Sequence, residues 1–106
     1  MQPFTEKAIQ IIQNVPVGKV MTYGQVAKYA GSPRGARQIA RLLHSMSEKH
    51  GLPWHRIVNA QGTIVLADEE ARYAQRALLE EEGVKVNLHG QVDLGVYRHE
   101  PAGNIL

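Results

Sequence analysis

The 106-residue sequence contains no cysteine, which excludes a disulfide framework, a thiolate metal site and a cysteine nucleophile together. Aromatic side chains are few, with a single tryptophan, Trp54, and a single phenylalanine, Phe4. No run approaches the ~18 consecutive apolar residues of a membrane span. The opening Met1-Gln2-Pro3-Phe4-Thr5-Glu6-Lys7 also lacks the charged-then-apolar pattern of a signal peptide, so a soluble cytoplasmic protein is expected, with no membrane partner. His44, His50, His89 and His99 show no tight ligand spacing, so neither a metal site nor a cofactor is expected. No repeat or linker-like composition shift interrupts the chain, and nothing in it demands more than a monomer. With 43% apolar residues it reads as one domain, 1–106, able to bury roughly 65% of its unfolded surface.

Acidic residues are nearly missing from the middle of the chain. Residues 19–58 hold Lys19, Lys28, Arg34, Arg37, Arg41, Lys49 and Arg56 against Glu48 alone. From residue 59 onward the balance reverses, with four basic residues against eight acidic ones, so the small net charge of +2 conceals a segregated distribution. Such segregation fits one face suited to phosphates and another repelled by them, and on charge alone it fits equally well an ordinary solvated surface.

Apolar spacing predicts an amphipathic helix from Phe4 through Ala8, Ile11, Ile12 and Val15, ending before Pro16. Val20 and Met21 read as extended. Thr22 with Gln25 three residues on is a capping box for a short helix to Ala30, with Gly31 just past its end. Ser32 as N-cap and Pro33 at the first helical position predict a second helix to about Met46, which makes a helix-turn-helix. Ala36, Ile39, Ala40, Leu43 and Met46 form its expected inner face. Arg34, Arg37, Gln38, Arg41 and Ser45 form an outward cationic stripe of the kind that enters a DNA groove. Leu52–Val58 and Thr63–Leu66 about the turn Asn59–Gly62 suggest a β-hairpin. Asp68 caps a last helix to Glu82, its inner face Ala71, Ala74 and Leu78, and Val84–Val86 with Val92–Tyr97 is read as a further strand or ribbon. The expected class is mainly α with a small β-hairpin, a winged-helix-like helix-turn-helix fold.

Three segments together resemble the C-terminal DNA-binding domain of O6-alkylguanine-DNA alkyltransferases: Gly18 to Ala27 (GKVMTYGQVA), Gly31 to Gln38 (GSPRGARQ) and Pro53 to Val58 (PWHRIV). The family's active-site motif is Pro-Cys-His-Arg. Here Trp54 stands where the cysteine would be. Alkyl transfer needs a soft, activated nucleophile, and an indole is not one. The resemblance is therefore to the alkyltransferase-like branch, which binds O6-alkylguanine without repairing it and flags it to nucleotide excision repair proteins. It implies a non-enzymatic protein with no catalytic residue, whose partner is double-stranded DNA containing O6-alkylguanine.

A flat indole at the floor of a base-sized pocket offers about 1–3 kcal/mol of stacking. A lone tryptophan is more often core, but Trp54 lies between Pro53 and His55-Arg56 on a turn. The expected alkylguanine pocket comprises Tyr23, Met46, Pro53, Trp54, His55 and Val65, the last in an apolar loop Val65-Leu66-Ala67. The expected DNA contacts are Thr22, Tyr23, Gln25, Ser32, Arg34, Ala36, Arg37, Gln38 and Arg41. By resemblance, Arg37 is the finger that fills the gap left by the everted nucleotide, and Tyr23 presses on its 3′ phosphate. Arg56 and Glu82 are expected behind the pocket, as structural partners rather than catalysts. The alternative is a helix-turn-helix transcription regulator without lesion specificity, reading sequence through Arg34, Gln38 and Arg41.

Overall fold

The computed structural model describes residues 2–101. Helix α1 spans Pro3–Gln13 and buries Ala8, Ile9, Ile11 and Ile12. Strand β1 (Met21–Thr22) leads directly into α2 (Tyr23–Tyr29), and the capping box forms as read. Gln25 N donates to Thr22 Oγ1 at 3.0 Å, and Thr22 N donates to Gln25 Oε1 at 2.9 Å. Gly31 takes φ +102°, a conformation glycine adopts without a Cβ penalty. Gly31 N then reaches Lys28 O at 3.1 Å and Ser32 N reaches Ala27 O at 2.9 Å, closing the helix end.

That closure overturns the expected start of the next helix. Ser32 is not an N-cap, because its amide finishes α2 and its carbonyl accepts from Gly35 N at 2.9 Å. Helix α3 runs Ala36–His50 from an N-cap at Gly35 that supplies no side-chain hydrogen bond. Arg34 therefore lies on the turn rather than on the helix. Close packing also favours glycine at 35, where a Cβ would come within 3.1 Å of Phe4 Cζ. The buried face of α3 is Ile39, Leu42 and Leu43, while Ala40 is exposed and Ala36 and Met46 are half-buried. The helix continues past Met46 to Gly51, whose left-handed φ of +59° stops it.

The expected hairpin is replaced by a two-stranded parallel sheet. Trp54–Arg56 form a 3₁₀ turn, followed by β2 (Ile57–Val58), which pairs with β1 in the register Met21 to Ile57 and Thr22 to Val58. The second apolar run goes elsewhere, with Thr63 bridged to Gln91 and Ile64 N donating to Gly90 O at 2.9 Å. Helix α4 (Glu69–Glu81) starts where Asp68 Oδ2 accepts from Ala71 N at 2.9 Å. It buries Gln75 and Leu79, whereas Ala71, Ala74 and Leu78 are half-buried. In the tail, Val86 bridges Val92, and a short helix α5 (Leu94–Tyr97) takes the place of the expected strand.

Successive residues of the sheet face opposite sides, as a pleat requires. Met21 and Ile57 join the cluster of α1, α2 and α3, which includes Ile12 and Ile39. Val20 and Val58 join a second cluster with Leu79, Val84 and Val92. The architecture is mainly helical with a two-stranded parallel sheet between two apolar clusters. Among the described residues no helix is long and apolar enough to cross a membrane.

Candidate functional site

Helix α3, the turn at Trp54 and the start of α4 meet around a cavity of about 820 Å³. This lies within the range of about 300–1,000 Å³ usual for small-molecule sites. Ala40, Leu43, His44 and Ser47 supply one wall at helical spacing. Tyr23 from the start of α2 and Trp54 from the turn supply a second, and Leu66, Ala67 and Asp68 with Gln75 close the third. Trp54 is half-buried, its ring meeting that of His55 edge-on at 6.2 Å and 86°.

Of the expected pocket residues, Tyr23 and Trp54 line the cavity, whereas Met46, Pro53, His55 and Val65 are not among its lining. Side chains of a 3₁₀ turn fan out by about 120° per residue, so neighbours of the indole point elsewhere. Met46 packs on the first apolar cluster instead. Val65 is 50% exposed, and its neighbours Leu66 and Ala67 take the place expected for it. Burial raises the Tyr23 phenol above its ordinary pKa, keeping that wall uncharged.

Behind the turn one carboxylate ties several segments together. Glu82, at the C-terminal end of α4, receives His55 Nε2 at 2.7 Å, Arg56 Nε at 2.9 Å and Arg56 Nη2 at 2.7 Å. Gly18 N also donates to it at 3.2 Å, and Arg56 Nη1 reaches Val15 O at 2.8 Å. Burial pushes the Glu82 carboxyl up, but the hydrogen bonds from Arg56, His55 and Gly18 outweigh it and hold the pKa at about 2. The ionised carboxylate accepts only, so His55 Nε2 carries the proton between them.

Gln75 was not singled out by the sequence, yet it is 2% exposed and fixes the same turn from the other side. Its Nε2 donates to His55 O at 3.1 Å and to Ile57 O at 3.0 Å. The signal was its place one helical turn before Leu79, on a stripe that reads as apolar apart from this amide.

Arg37, Gln38, Arg41 and Ser45 lie exposed on α3 beside the cavity wall, and Arg34 is exposed on the preceding turn. Among the described residues none of these arginines has an acidic partner within 4.0 Å. Ser32 and Ala36 are half-buried at the edge of this face. Thr22 is only 5% exposed, and Gln25 Nε2 donates to His99 O at 3.0 Å. Both side chains are thus engaged internally, setting the position of Tyr23 between them.

Residues 3–84 match the family model described as the 6-O-methylguanine DNA methyltransferase DNA-binding domain. The chain belongs to that family. Its relatives include the DNA base-flipping protein of Escherichia coli, 48% identical over 95 residues that cover 90% of this chain and 73% of that protein. The alkyltransferase-like protein 1 of Schizosaccharomyces pombe is 38% identical over 99 residues, covering 92% and 89% of the two chains. A crystal structure of the S. pombe Atl1 with damaged DNA containing O6-carboxymethylguanine superimposes with a TM-score of 0.82 at 35% identity, covering 95% and 98%. Within the family the chain is alkyltransferase-like: with no cysteine in the sequence, no thiolate is present to take an alkyl group as a thioether.

Proposed function

We propose that the protein binds duplex DNA, everts an O6-alkylguanine into the cavity beside Trp54 and holds it there unaltered, leaving excision to nucleotide excision repair proteins. The observation that carries this reading is the half-buried indole in the wall of a cavity roomy enough for a base and its adduct, at the position where alkyltransferases place their nucleophile. The cationic face of α3 adjoins it. Arg34, Arg37, Gln38 and Arg41 meet the groove and its phosphates, with Ser32 and Ala36 at the contact edge. Thr22 and Gln25 act indirectly, by fixing the start of α2.

Eversion costs a few kcal/mol, and less where alkylation has weakened pairing, so the lesion assists its own selection. Arg37 fills the vacated stack, since a planar guanidinium both stacks and hydrogen-bonds. Tyr23 bears on the adjoining phosphate. His55, Arg56 and Glu82 hold the turn and touch no reacting atom. The unit acts as a single domain and a monomer in the cytoplasm.

Trp54 is the only tryptophan, so its emission reports the cavity directly. Titration with a duplex carrying one O6-methylguanine is expected to change that emission far more than the unmodified duplex does, with affinity at least about tenfold higher. With ~4–5 phosphate contacts, the log–log slope of affinity against salt is expected near about −4. Identical responses to the two duplexes, or transfer of a labelled methyl group onto the protein, would overturn the reading.

A further inference from the structure

The cavity contains an asymmetry of charge that the eversion reading does not use. Its walls are apolar at Leu43, Leu52 and Leu66, but its ionisable members are Glu48, Asp68 and His44, with Tyr23 neutral. Among the described lining residues there is neither lysine nor arginine. A helix N-terminus would ordinarily welcome an anion, and α4 begins at this wall. That end is already occupied: Asp68 Oδ2 accepts from Ala71 N at 2.9 Å, and Glu69 and Glu70 follow in the first turn.

We propose that the cavity selects O6-adducts by charge, accepting neutral alkyl groups and disfavouring anionic ones. The proposal rests on the lesion-binding reading and deepens it. An adduct carboxylate entering here meets Glu48 on α3 and Asp68 at the N-cap of α4, both at the exposed mouth of the cavity, with no lysine or arginine in the wall to compensate. A neutral adduct meets only the apolar wall and the indole. The S. pombe relative crystallised with a carboxymethyl adduct shows that the fold itself does not bar an anion. In this chain the discrimination comes from the two carboxylates.

The test compares one isosteric pair in otherwise identical duplexes, O6-carboxymethylguanine and the neutral O6-carbamoylmethylguanine, by fluorescence anisotropy at fixed salt. The parent protein is expected to bind the carbamoylmethyl duplex about tenfold more tightly, with the ratio shrinking as salt rises. In the double variant Glu48→Gln, Asp68→Asn the ratio is expected to fall toward one. Asparagine retains the N-cap, so α4 keeps its start, which a thermal melt verifies. Equal binding of the two adducts by the parent, or a ratio that survives neutralisation of both carboxylates, overturns the proposal while lesion binding stands. A parent protein that prefers neither adduct to unmodified DNA overturns both.

Discussion

Replacing Glu82 by glutamine keeps the shape of the side chain and removes its charge, so it isolates what the carboxylate contributes. The folded pKa of about 2 lies below the ordinary 4.5. Stability from this group is therefore complete above pH 4.5 and is lost as pH falls toward 2. At about 1.4 kcal/mol per unit, that displacement corresponds to about 3 kcal/mol. The magnitude is consistent with the partners left behind. His55 and Arg56 have side chains only 11% and 14% exposed, and neither regains full hydration when the carboxylate is lost. Urea unfolding followed by Trp54 emission is expected to show Glu82→Gln about 3 kcal/mol less stable than the parent at pH 7. The gap should close as the pH is lowered to about 2, because the parent then carries a neutral group as well. A gap below about 1 kcal/mol at pH 7, or one unchanged between pH 7 and 3, would refute the assignment of Glu82 as the charged tie behind the turn.

Gln75→Leu leaves the carbonyls of His55 and Ile57 without their donor and is expected to cost about 2 kcal/mol in urea unfolding, with a shifted Trp54 emission maximum in the folded state. An unaltered midpoint and spectrum would count against its placement of the turn. Arg37→Ala is expected to lower affinity for the O6-methylguanine duplex by about 1–3 kcal/mol, and Arg37→Lys to recover only the salt-sensitive part. Equal affinity of the alanine variant and the parent would discard Arg37 as the residue that fills the gap.

Elements whose determinants lie within a few residues were legible from the sequence. The capping box of Thr22 and Gln25 fixes the start of α2 through two hydrogen bonds three residues apart, and Gly31 fixes its end. Asp68 marked the start of α4 for the same reason. Ser32 misled because it has the right chemistry for an N-cap while its amide is already used to close the preceding helix, a competition that spacing alone does not reveal. The hairpin misled through distance. Two apolar runs about a glycine turn resemble partners, yet Ile57 pairs with Met21, far back in the chain, because each strand has an apolar cluster to join on either side. Of the site, Trp54 and Tyr23 were read from motif. The wall of Ala40, Leu43, His44 and Ser47 was present as a helical stripe, but it had no meaning until α4 was placed opposite. Met46 satisfied the same helical rule and went to the core instead.

The parallel ladder contains only two rungs, Met21 to Ile57 and Thr22 to Val58, and contributes little as a sheet. Its importance is mechanical. One rail continues without a spacer into Tyr23 and the other emerges without a spacer from the Trp54–Arg56 turn. The backbone segments that bear phenol and indole are thereby tied to each other by the ladder. A displacement of α2 would therefore be passed through these two rungs to the turn that carries the indole, which couples the two ends of the cavity wall mechanically.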